Sequence, residues 1–142
     1  MRPALFDTSV YISALRQGHD AILALRGLTL DAPLWLSAVV LEELYAGVGD
    51  RERPVIERLE RDMNKINRLL VPNLSDWTQA GKVLNLLAAK YHFEKIGRGR
   101  LTNDALIATS AGRLGIRVFT TNARDFSRLA EFRPFEWEVT AV

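Results

Sequence analysis

The sequence predicts an α/β fold, in which one domain contains a mostly parallel sheet of four or five strands flanked by helices on both faces. Short apolar runs alternate with amphipathic helical stretches, which is the pattern of repeated strand–helix units. A length of 142 residues with 48% hydrophobic composition is the size of one domain with an ordinary core. No repeat, low-complexity tract or linker interrupts the pattern, so residues 1–142 are predicted to form a single domain with right-handed crossovers.

The first predicted strand is Ala4–Phe6, an apolar run that ends at Asp7. Thr8 or Ser9 is a candidate cap for the following helix, because a hydroxyl oxygen can accept a hydrogen bond from a free backbone N–H at a helix start. Gly18 is predicted to close this helix.

A helix, a strand and a second helix are predicted next. Residues 20–30 carry isoleucine and leucine at helical spacing and predict a short helix. Leu34–Leu36 predicts the second strand. Ser37 is then expected to cap a helix over residues 38–46 that ends at Gly47.

The middle of the chain predicts two longer helices. Apolar residues recur every three or four positions over residues 55–70, as in an amphipathic helix. Residues 69–71 either finish that helix or begin a third strand before Pro72. Ser75 is a candidate cap for the next helix, which extends to Tyr91.

Residues 95–103 contain two glycines and neither apolar period, which predicts a loop. Thr102 or Asn103 would then cap a helix over residues 104–115, with Asp104 in its first turn. An acid in that turn is common because the helix dipole favours negative charge there, so Asp104 by itself has this ordinary structural explanation.

The C-terminal part completes the alternation of strands and helices. Residues 117–121 predict a fourth strand, residues 122–124 a turn, residues 126–130 a short helix and residues 135–139 a final strand with alternating polarity.

The composition excludes several kinds of site. Cysteine is absent, so neither a disulfide framework nor a thiolate zinc site is possible, and His19 and His92 show no metal-ligand spacing. The net charge of +2 is weak evidence for nucleic acid, because the arginines match phosphate geometry but also pair with neighbouring glutamates. Asp7 would interrupt the apolar segment of a signal peptide, and no apolar run is long enough to span a bilayer, so we expect a soluble cytoplasmic protein without a membrane partner.

Four carboxylates stand just after predicted strands or in the helices that follow: Asp7, Glu43, Asp104 and Asp125. The carboxyl ends of parallel strands line the ligand crevice of an open sheet, so one acidic pocket can collect all four. Such a pocket favours a hard cation, because Mg²⁺ takes oxygen ligands and keeps positions for water and phosphate. The pattern predicts a magnesium-dependent nuclease. A carboxylate pair acting on a sugar ranks lower, because it explains neither four acids nor the arginines nearby.

Four segments of the chain resemble the PIN-domain ribonucleases, and among these the VapC-type toxins of toxin–antitoxin operons. The segments are DTSVYI, SAVVLEELYAG, NDALIATSA and TTNARDF, in this order and spread over nearly the whole chain. The resemblance implies a PIN-like fold and an endoribonuclease that uses Mg²⁺, with Mn²⁺ as the alternative metal. It also implies that Asp7, Glu43 and Asp104 bind the metal and that Asp125 is a fourth catalytic acid acting through water.

Two positions need separate judgement. The side chains of Glu42 and Glu43 point roughly 100° apart on a helix, so both cannot face one site. The family motif matches Glu43, which directly precedes Leu44 and stands four residues before Gly47, so Glu42 is expected to face solvent. The family often has an acid where this chain has Asn122, whose side-chain amide is a candidate for orienting a water molecule.

Further polar residues are candidates for contacting substrate. Thr8 and Ser9 are candidates for positioning Asp7, although helix capping explains either of them equally well. Three arginines are candidates for binding RNA phosphates: Arg98, Arg100 and Arg124. A solvated loop explains the first two of them about as well.

The resemblance implies hydrolysis by a metal-activated water that leaves a 5′-phosphate and a 3′-hydroxyl. It also implies a homodimer and a cognate antitoxin whose C-terminal segment enters the acidic groove and offers an arginine. Two alternatives remain open: a PIN-domain RNA-processing nuclease without an antitoxin, and a non-catalytic scaffold that binds RNA or protein. The full set of acids argues against the scaffold.

Overall fold

A computed structural model describes residues 2–18, 32–92 and 95–140, with the backbone alone described for residues 95–100. Five parallel strands form one sheet in the order β3-β2-β1-β4-β5. The strands are β1 (Ala4–Phe6), β2 (Leu34–Ser37), β3 (Leu69–Leu70), β4 (Arg117–Thr120) and β5 (Trp137–Val139). The predicted α/β fold is therefore confirmed, and the sheet is parallel throughout.

Six helices accompany the sheet in the described part of the chain. They are α1 (Thr8–Gln17), α2 (Ala38–Gly47), α3 (Arg53–Lys65), α4 (Leu74–Tyr91), α5 (Lys95–Leu114) and α6 (Ala123–Phe132). The helix predicted over residues 20–30 lies outside the described residues.

The order of the strands reverses between β1 and β4. The chain passes from β1 through β2 to β3 on one side of the sheet, then returns to place β4 and β5 on the other side of β1. Phe6 lies opposite Phe119 in the register of β1 and β4, and the backbone N–H of Asp7 donates to the Phe119 carbonyl at 2.9 Å. A crevice outside the carboxyl ends of two such strands is where open α/β sheets bind ligands.

The hydrophobic core packs around the central strand. All three residues of β1 are buried, as expected of a parallel strand covered on both faces. The Phe6 ring meets the Tyr11 ring edge-on at 5.8 Å between centroids and lies 5.7 Å from the Phe119 ring. These ring contacts hold the start of α1 against β1 and β4, next to the point where Asp7 leaves the sheet.

An ion pair joins α4 to α5. Asp76, only 2% exposed, accepts hydrogen bonds from Arg113 Nε at 3.0 and 3.2 Å and from Arg113 Nη2 at 3.0 Å. Asp76 also accepts from the backbone N–H of Asn73 at 2.9 Å, and the Asn73 side chain accepts from the backbone N–H of Asp76 in return. This capping box starts α4, so one carboxylate fixes both a helix start and the packing of two helices.

The structure resolves the choice left open for residues 69–71 in favour of a third strand. The helix over residues 55–70 ends at Lys65, and Leu69–Leu70 form the strand. Asn67 adopts a left-handed conformation (φ 56°), and the backbone N–H of Arg68 donates to the Met63 carbonyl at 3.0 Å. Asparagine tolerates this conformation, which ends a helix and turns the chain into an extended segment.

The predicted loop over residues 95–103 is also contradicted, because α5 begins at Lys95 and includes all of it. Neither Thr102 nor Asn103 caps a helix, and Asp104 lies in the middle of α5 instead of its first turn. Two glycines cost about 1 kcal/mol each in a helix, but packing of the buried segment 105–111 on the rest of the fold outweighs this local preference. The first-turn explanation for Asp104 therefore no longer applies.

Three capping predictions are resolved by the structure. Ser37 caps α2 as predicted, accepting from the backbone N–H of Val39 at 3.1 Å. The cap of α1 is Asp7 instead of Thr8 or Ser9, and the cap of α4 is Asn73 instead of Ser75. In both helices the cap is an aspartate or asparagine at the end of the preceding extended segment. It lies one or two residues before the serine or threonine that had been predicted to cap the helix.

None of the helices in the described ranges combines the length and the apolar character needed to cross a bilayer.

Removing the buried ion pair is expected to destabilise the fold. Asp76→Ala leaves Arg113 without its carboxylate and removes the capping box, and we expect the free energy of unfolding to fall by about 2–4 kcal/mol. Urea unfolding followed by circular dichroism measures this change.

The matched control is Asp50→Ala, because Asp50 is 93% exposed in its pair with Arg53. This variant should change the free energy of unfolding by less than about 1 kcal/mol. Equal effects of the two substitutions would contradict the proposed role of the Asp76–Arg113 pair.

Candidate active site

Asp7 is the most enclosed acid at the carboxyl edge of the sheet, with 3% of its surface exposed. Asp7 Oδ1 accepts from Ser9 Oγ at 2.5 Å and from the backbone N–H of Val10 at 3.3 Å. Asp7 Oδ2 accepts from Thr120 Oγ1 at 2.5 Å. The residue therefore caps α1 and at the same time joins the ends of β1 and β4.

The environment of Asp7 works against its negative charge. Burial raises the pKa of its carboxyl group above the ordinary value of 3.8, although hydrogen bonds from Ser9, Thr120 and the backbone act in the lowering direction. A buried carboxylate whose desolvation outweighs its hydrogen bonds gains from a nearby cation. The ion pairs of the described residues do not include Asp7, Glu43 or Asp125. A divalent cation is one group that can supply such a positive charge.

Glu43, on α2, lies beside the start of α1, where Asp7 is the cap. Thr8 Oγ1 donates to Glu43 Oε1 at 2.6 Å, which links the first residue of α1 to the middle of α2. Glu43 is half-buried, whereas Glu42 is exposed and its Oε2 accepts from Asn103 Nδ2 at 3.4 Å. The two neighbouring glutamates thus point to different elements, and Glu43 is the one beside the start of α1.

The turn between β4 and α6 also contacts Asp7 and its neighbour Ser9. Asn122 caps α6: its Oδ1 accepts from the backbone N–H of Asp125 at 3.4 Å, and its Nδ2 donates to Asp125 Oδ2 at 2.8 Å. The predicted turn over residues 122–124 is therefore a helix cap. Ser9 Oγ accepts from the backbone N–H of Thr121 at 3.2 Å, so the same hydroxyl that donates to Asp7 also holds this turn.

Thr120 is a site residue that the sequence analysis missed. Its hydroxyl donates to Asp7 and accepts from the backbone N–H of Asn122 at 2.9 Å, and its side chain is fully buried. The sequence shows only a threonine at the end of a predicted strand, which is an ordinary strand residue. Only the parallel register, in which Phe6 pairs with Phe119, reveals that the next positions, Asp7 and Thr120, face each other.

The remaining candidates lie on α5 and α6. Asp104 is half-buried in the middle of α5, which packs against α2 and α4. Arg124 is exposed in the first turn of α6, and the side chains of Arg98 and Arg100 lie outside the described residues. Within the described ranges, no three histidine or acidic side chains stand close enough together to hold one metal ion.

The donors present still suit Mg²⁺, which is commonly bound by only one or two carboxylates and completes its shell with water and substrate phosphate. Asp7 and Glu43 supply hard oxygen atoms of that kind, and the Thr8 hydroxyl connects the two elements that carry them. Oδ2 of Asp7 accepts one hydrogen bond and a carboxylate oxygen has about two acceptor positions, so metal coordination need not displace Thr120.

Replacing Asp7 by asparagine is expected to stabilise the metal-free protein. Burial raises the pKa of Asp7, so the folded state binds this proton more tightly than the unfolded state does, and this contribution to stability is lost as pH rises from 3.8 through the folded-state pKa. The amide has no charge to desolvate, and its oxygen can still cap α1. At pH 7 in EDTA, we expect Asp7→Asn to raise the free energy of unfolding by about 1 kcal/mol, or Tm by about 4 °C.

The difference between Asp7→Asn and the parent protein should shrink as pH falls through the raised folded-state pKa of Asp7 and should be lost below 3.8, where the carboxyl group is protonated in both states. A gain that is independent of pH, or a loss of stability at pH 7, would contradict this account. Asp50→Asn, which changes an exposed acid, serves as the control and should leave Tm unchanged.

Solved structures with a similar fold include chains of three VapBC complexes. A chain of the DNA-bound VapBC from Salmonella typhimurium is 24% identical, with a TM-score of 0.64 and 98% of both chains covered. A chain of VapBC2 from Rickettsia felis, bound to a DNA fragment from its promoter, is 19% identical, with a TM-score of 0.67, and the match covers 96% of this chain and 98% of that one. A chain of VapBC-1 from nontypeable Haemophilus influenzae is 23% identical, with a TM-score of 0.64 and 96% of both chains covered. At these identities the similarity establishes the fold.

No curated protein sequence matches the chain significantly. The model of the PIN-domain family matches residues 4–132, which include all four candidate acids and the strands and helices that carry them. This match agrees with the parallel sheet and with the four segments whose resemblance was noted in the sequence. The chain belongs to the PIN-domain family.

Proposed function

We propose that this PIN domain is a metal-dependent endoribonuclease and the toxin of a VapC-type toxin–antitoxin pair. The observation that carries the proposal is the buried Asp7 carboxylate at the strand-order reversal between β1 and β4, with Glu43 bound by the hydroxyl of the adjacent residue, Thr8. The similarity of the fold to chains of VapBC complexes supports the toxin assignment.

Each acid has a distinct part in the proposal. Asp7 and Glu43 would hold Mg²⁺, or Mn²⁺ in its place, and Asp104 would join them as a third ligand when the metal is bound, because the described acids do not already form a group of three around one ion. Asp125 would act on water held near the metal. When bound, the metal would supply Lewis-acid activation of water and stabilise negative charge on the phosphate in the transition state. The product would carry a 5′-phosphate and a free 3′-hydroxyl.

Neutral side chains keep the acids in place. Ser9 and Thr120 each donate to a different oxygen of Asp7, and Thr8 donates to Glu43. These donors favour ionised carboxylates in a fixed orientation without adding positive charge that would compete with a metal. Asn122 holds Asp125 through its amide, so it supports the acid of α6 instead of replacing one.

A groove beside Glu43 is the proposed docking site of the antitoxin. Its cavity volume is about 310 Å³, and its apolar lining comes from α1, α2 and the segment that follows α2: Ile12, Leu15, Leu44 and Val48. Glu43 and Glu52 supply two acidic groups to the same groove and Arg16 supplies one basic group, so the acids exceed the bases in its lining. An antitoxin segment with apolar side chains and an arginine fits this lining, and it would cover an acid of the candidate site.

We further propose a homodimer that acts in the cytoplasm. Val71, Leu74 and Trp77 are exposed around the start of α4, with 63%, 79% and 55% of their surfaces accessible. Neighbouring large apolar side chains of this kind are typical of a surface that another protein covers, and a second copy of the chain is the partner that the family resemblance implies.

Cleavage of RNA by the purified protein tests the central proposal. In Mg²⁺ or Mn²⁺ the protein should cut single-stranded RNA and leave 5′-phosphate ends, and EDTA should abolish the reaction. Asp7→Asn and Asp104→Asn should each lower the rate by on the order of 100-fold or more, because each removes a proposed metal ligand. Denaturing gels of end-labelled RNA measure the rate.

Asp50→Asn is the control for general effects of losing an exposed acid and should cut RNA at the parent rate. Cleavage that persists in EDTA, or that Asp7→Asn leaves unchanged, would exclude a metal nuclease centred on Asp7. RNA binding without any cleavage would instead favour the non-catalytic scaffold.

Growth of a bacterial host separates a toxin from an RNA-processing enzyme. Tightly induced parent protein should arrest growth, whereas Asp104→Asn expressed at the same level should not, because arrest depends on RNA hydrolysis. Arrest by both would show toxicity that does not depend on the candidate site. Absence of arrest, combined with RNA cleavage by the purified protein, would favour a processing enzyme.

A further inference from the structure

A second group of side chains lies along α6, beyond the acid of the candidate site. Arg124 and Arg128 stand four residues apart and therefore share one face of the helix. Like charges at this spacing are mildly destabilising, and Arg124 also faces the unfavourable positive end of the helix dipole. Helix stability therefore does not account for Arg124, whereas Arg128 also has opposite charges three residues away on either side, at Asp125 and Glu131.

The guanidinium of Arg128 is stacked on an aromatic ring. Its central carbon lies 4.2 Å from the ring centroid of Tyr91, the last residue of α4. The Tyr91 hydroxyl donates to a Glu131 oxygen, and Lys90 Nζ donates to the other Glu131 oxygen at 2.6 Å. Hydrogen bonds from Lys90 and Tyr91 lower the pKa of Glu131, so its carboxylate stays charged and orients the ring. We call Arg128 and Tyr91 the stacked pair.

The stacked pair is close to the candidate site along the helix. Arg128 follows Asp125 by three residues, which is about 4.5 Å along the helix axis and places the two side chains on neighbouring positions of one surface. A strand of nucleic acid with its scissile phosphate at the acids extends beyond them by several ångströms per nucleotide. A strand leaving toward α6 would therefore meet the stacked pair within one or two nucleotides.

The chemistry of the stacked pair suits single-stranded RNA. Stacking on Tyr91 fixes the plane of the guanidinium, and its N–H donors lie within that plane, where they can meet phosphate oxygens. Proteins that bind single strands combine such cations with aromatic rings that stack on bases. Lys90 and Arg128 both lie against the Tyr91 ring, and Lys90 is paired with Glu131.

We propose that the stacked pair and Arg124 form a binding subsite for the RNA nucleotides next to the scissile phosphate. This inference rests on the proposed nuclease function. It assigns substrate contact to Tyr91 and Arg128, which were not candidates in the sequence analysis.

RNA binding by variants of a cleavage-deficient protein tests the subsite. In the Asp104→Asn background, fluorescence anisotropy with a labelled single-stranded RNA should show affinity lowered at least about fivefold by Arg128→Gln and by Tyr91→Leu. Tyr91→Phe keeps the ring and should restore most of the affinity that Tyr91→Leu loses. Arg128→Gln should also reduce the slope of log affinity against log salt by about 0.7 if the guanidinium contacts one phosphate.

Arg61→Gln on α3 is the matched control, because it removes an exposed arginine from a different helix. Circular dichroism and thermal melts confirm that each variant is folded. Equal RNA affinity in all variants, with normal cleavage by the otherwise unaltered protein, overturns the subsite and leaves the nuclease function standing. Failure of the parent protein both to bind and to cut RNA overturns both proposals. Normal RNA binding with loss of antitoxin binding would show that the surface is a protein-binding surface instead.

Discussion

The structure depends on burying one carboxylate, that of Asp7, between the two strands where the order of the sheet reverses. The position is costly for a charge, because burial opposes ionisation more strongly than the surrounding hydrogen bonds favour it. Hydrogen bonds from the start of α1 and from the end of β4 nevertheless hold this side chain at the end of β1. A cost of this kind, at the place where open parallel sheets bind ligands, is characteristic of a functional site.

Neutral hydroxyl groups connect the parts of the candidate site. Thr8 links α1 to Glu43, Ser9 links Asp7 to the turn before α6, and Thr120 links Asp7 to the cap that holds Asp125. Because these donors carry no charge, they orient the acids and leave the negative potential of the crevice intact. Arg124 and Arg128 on α6 are the cations that we propose meet the substrate, and Lys90 near the end of α4 lies against the same Tyr91 ring as Arg128.

The strands and the order of the elements could be predicted from the sequence, because apolar runs such as Ala4–Phe6 need only local pattern to be identified. The start of α5 could not, since the two glycines before Asp104 favour a loop locally and only packing of the segment that follows overrides them. The role of Thr120 depends on the register between β1 and β4, which no local pattern contains. The resemblance to a known family supplied the choice of Glu43 over Glu42, which helical geometry alone does not make.

Asp7 is both the cap of α1 and a proposed metal ligand. These two roles together restrict which residues can replace it. Most replacements would remove the cap together with the charge, and the helix behind it would begin poorly. Asparagine is the exception, since it caps well and carries no charge. A descendant that lost the charge at this position but kept its fold would therefore be expected to carry asparagine here.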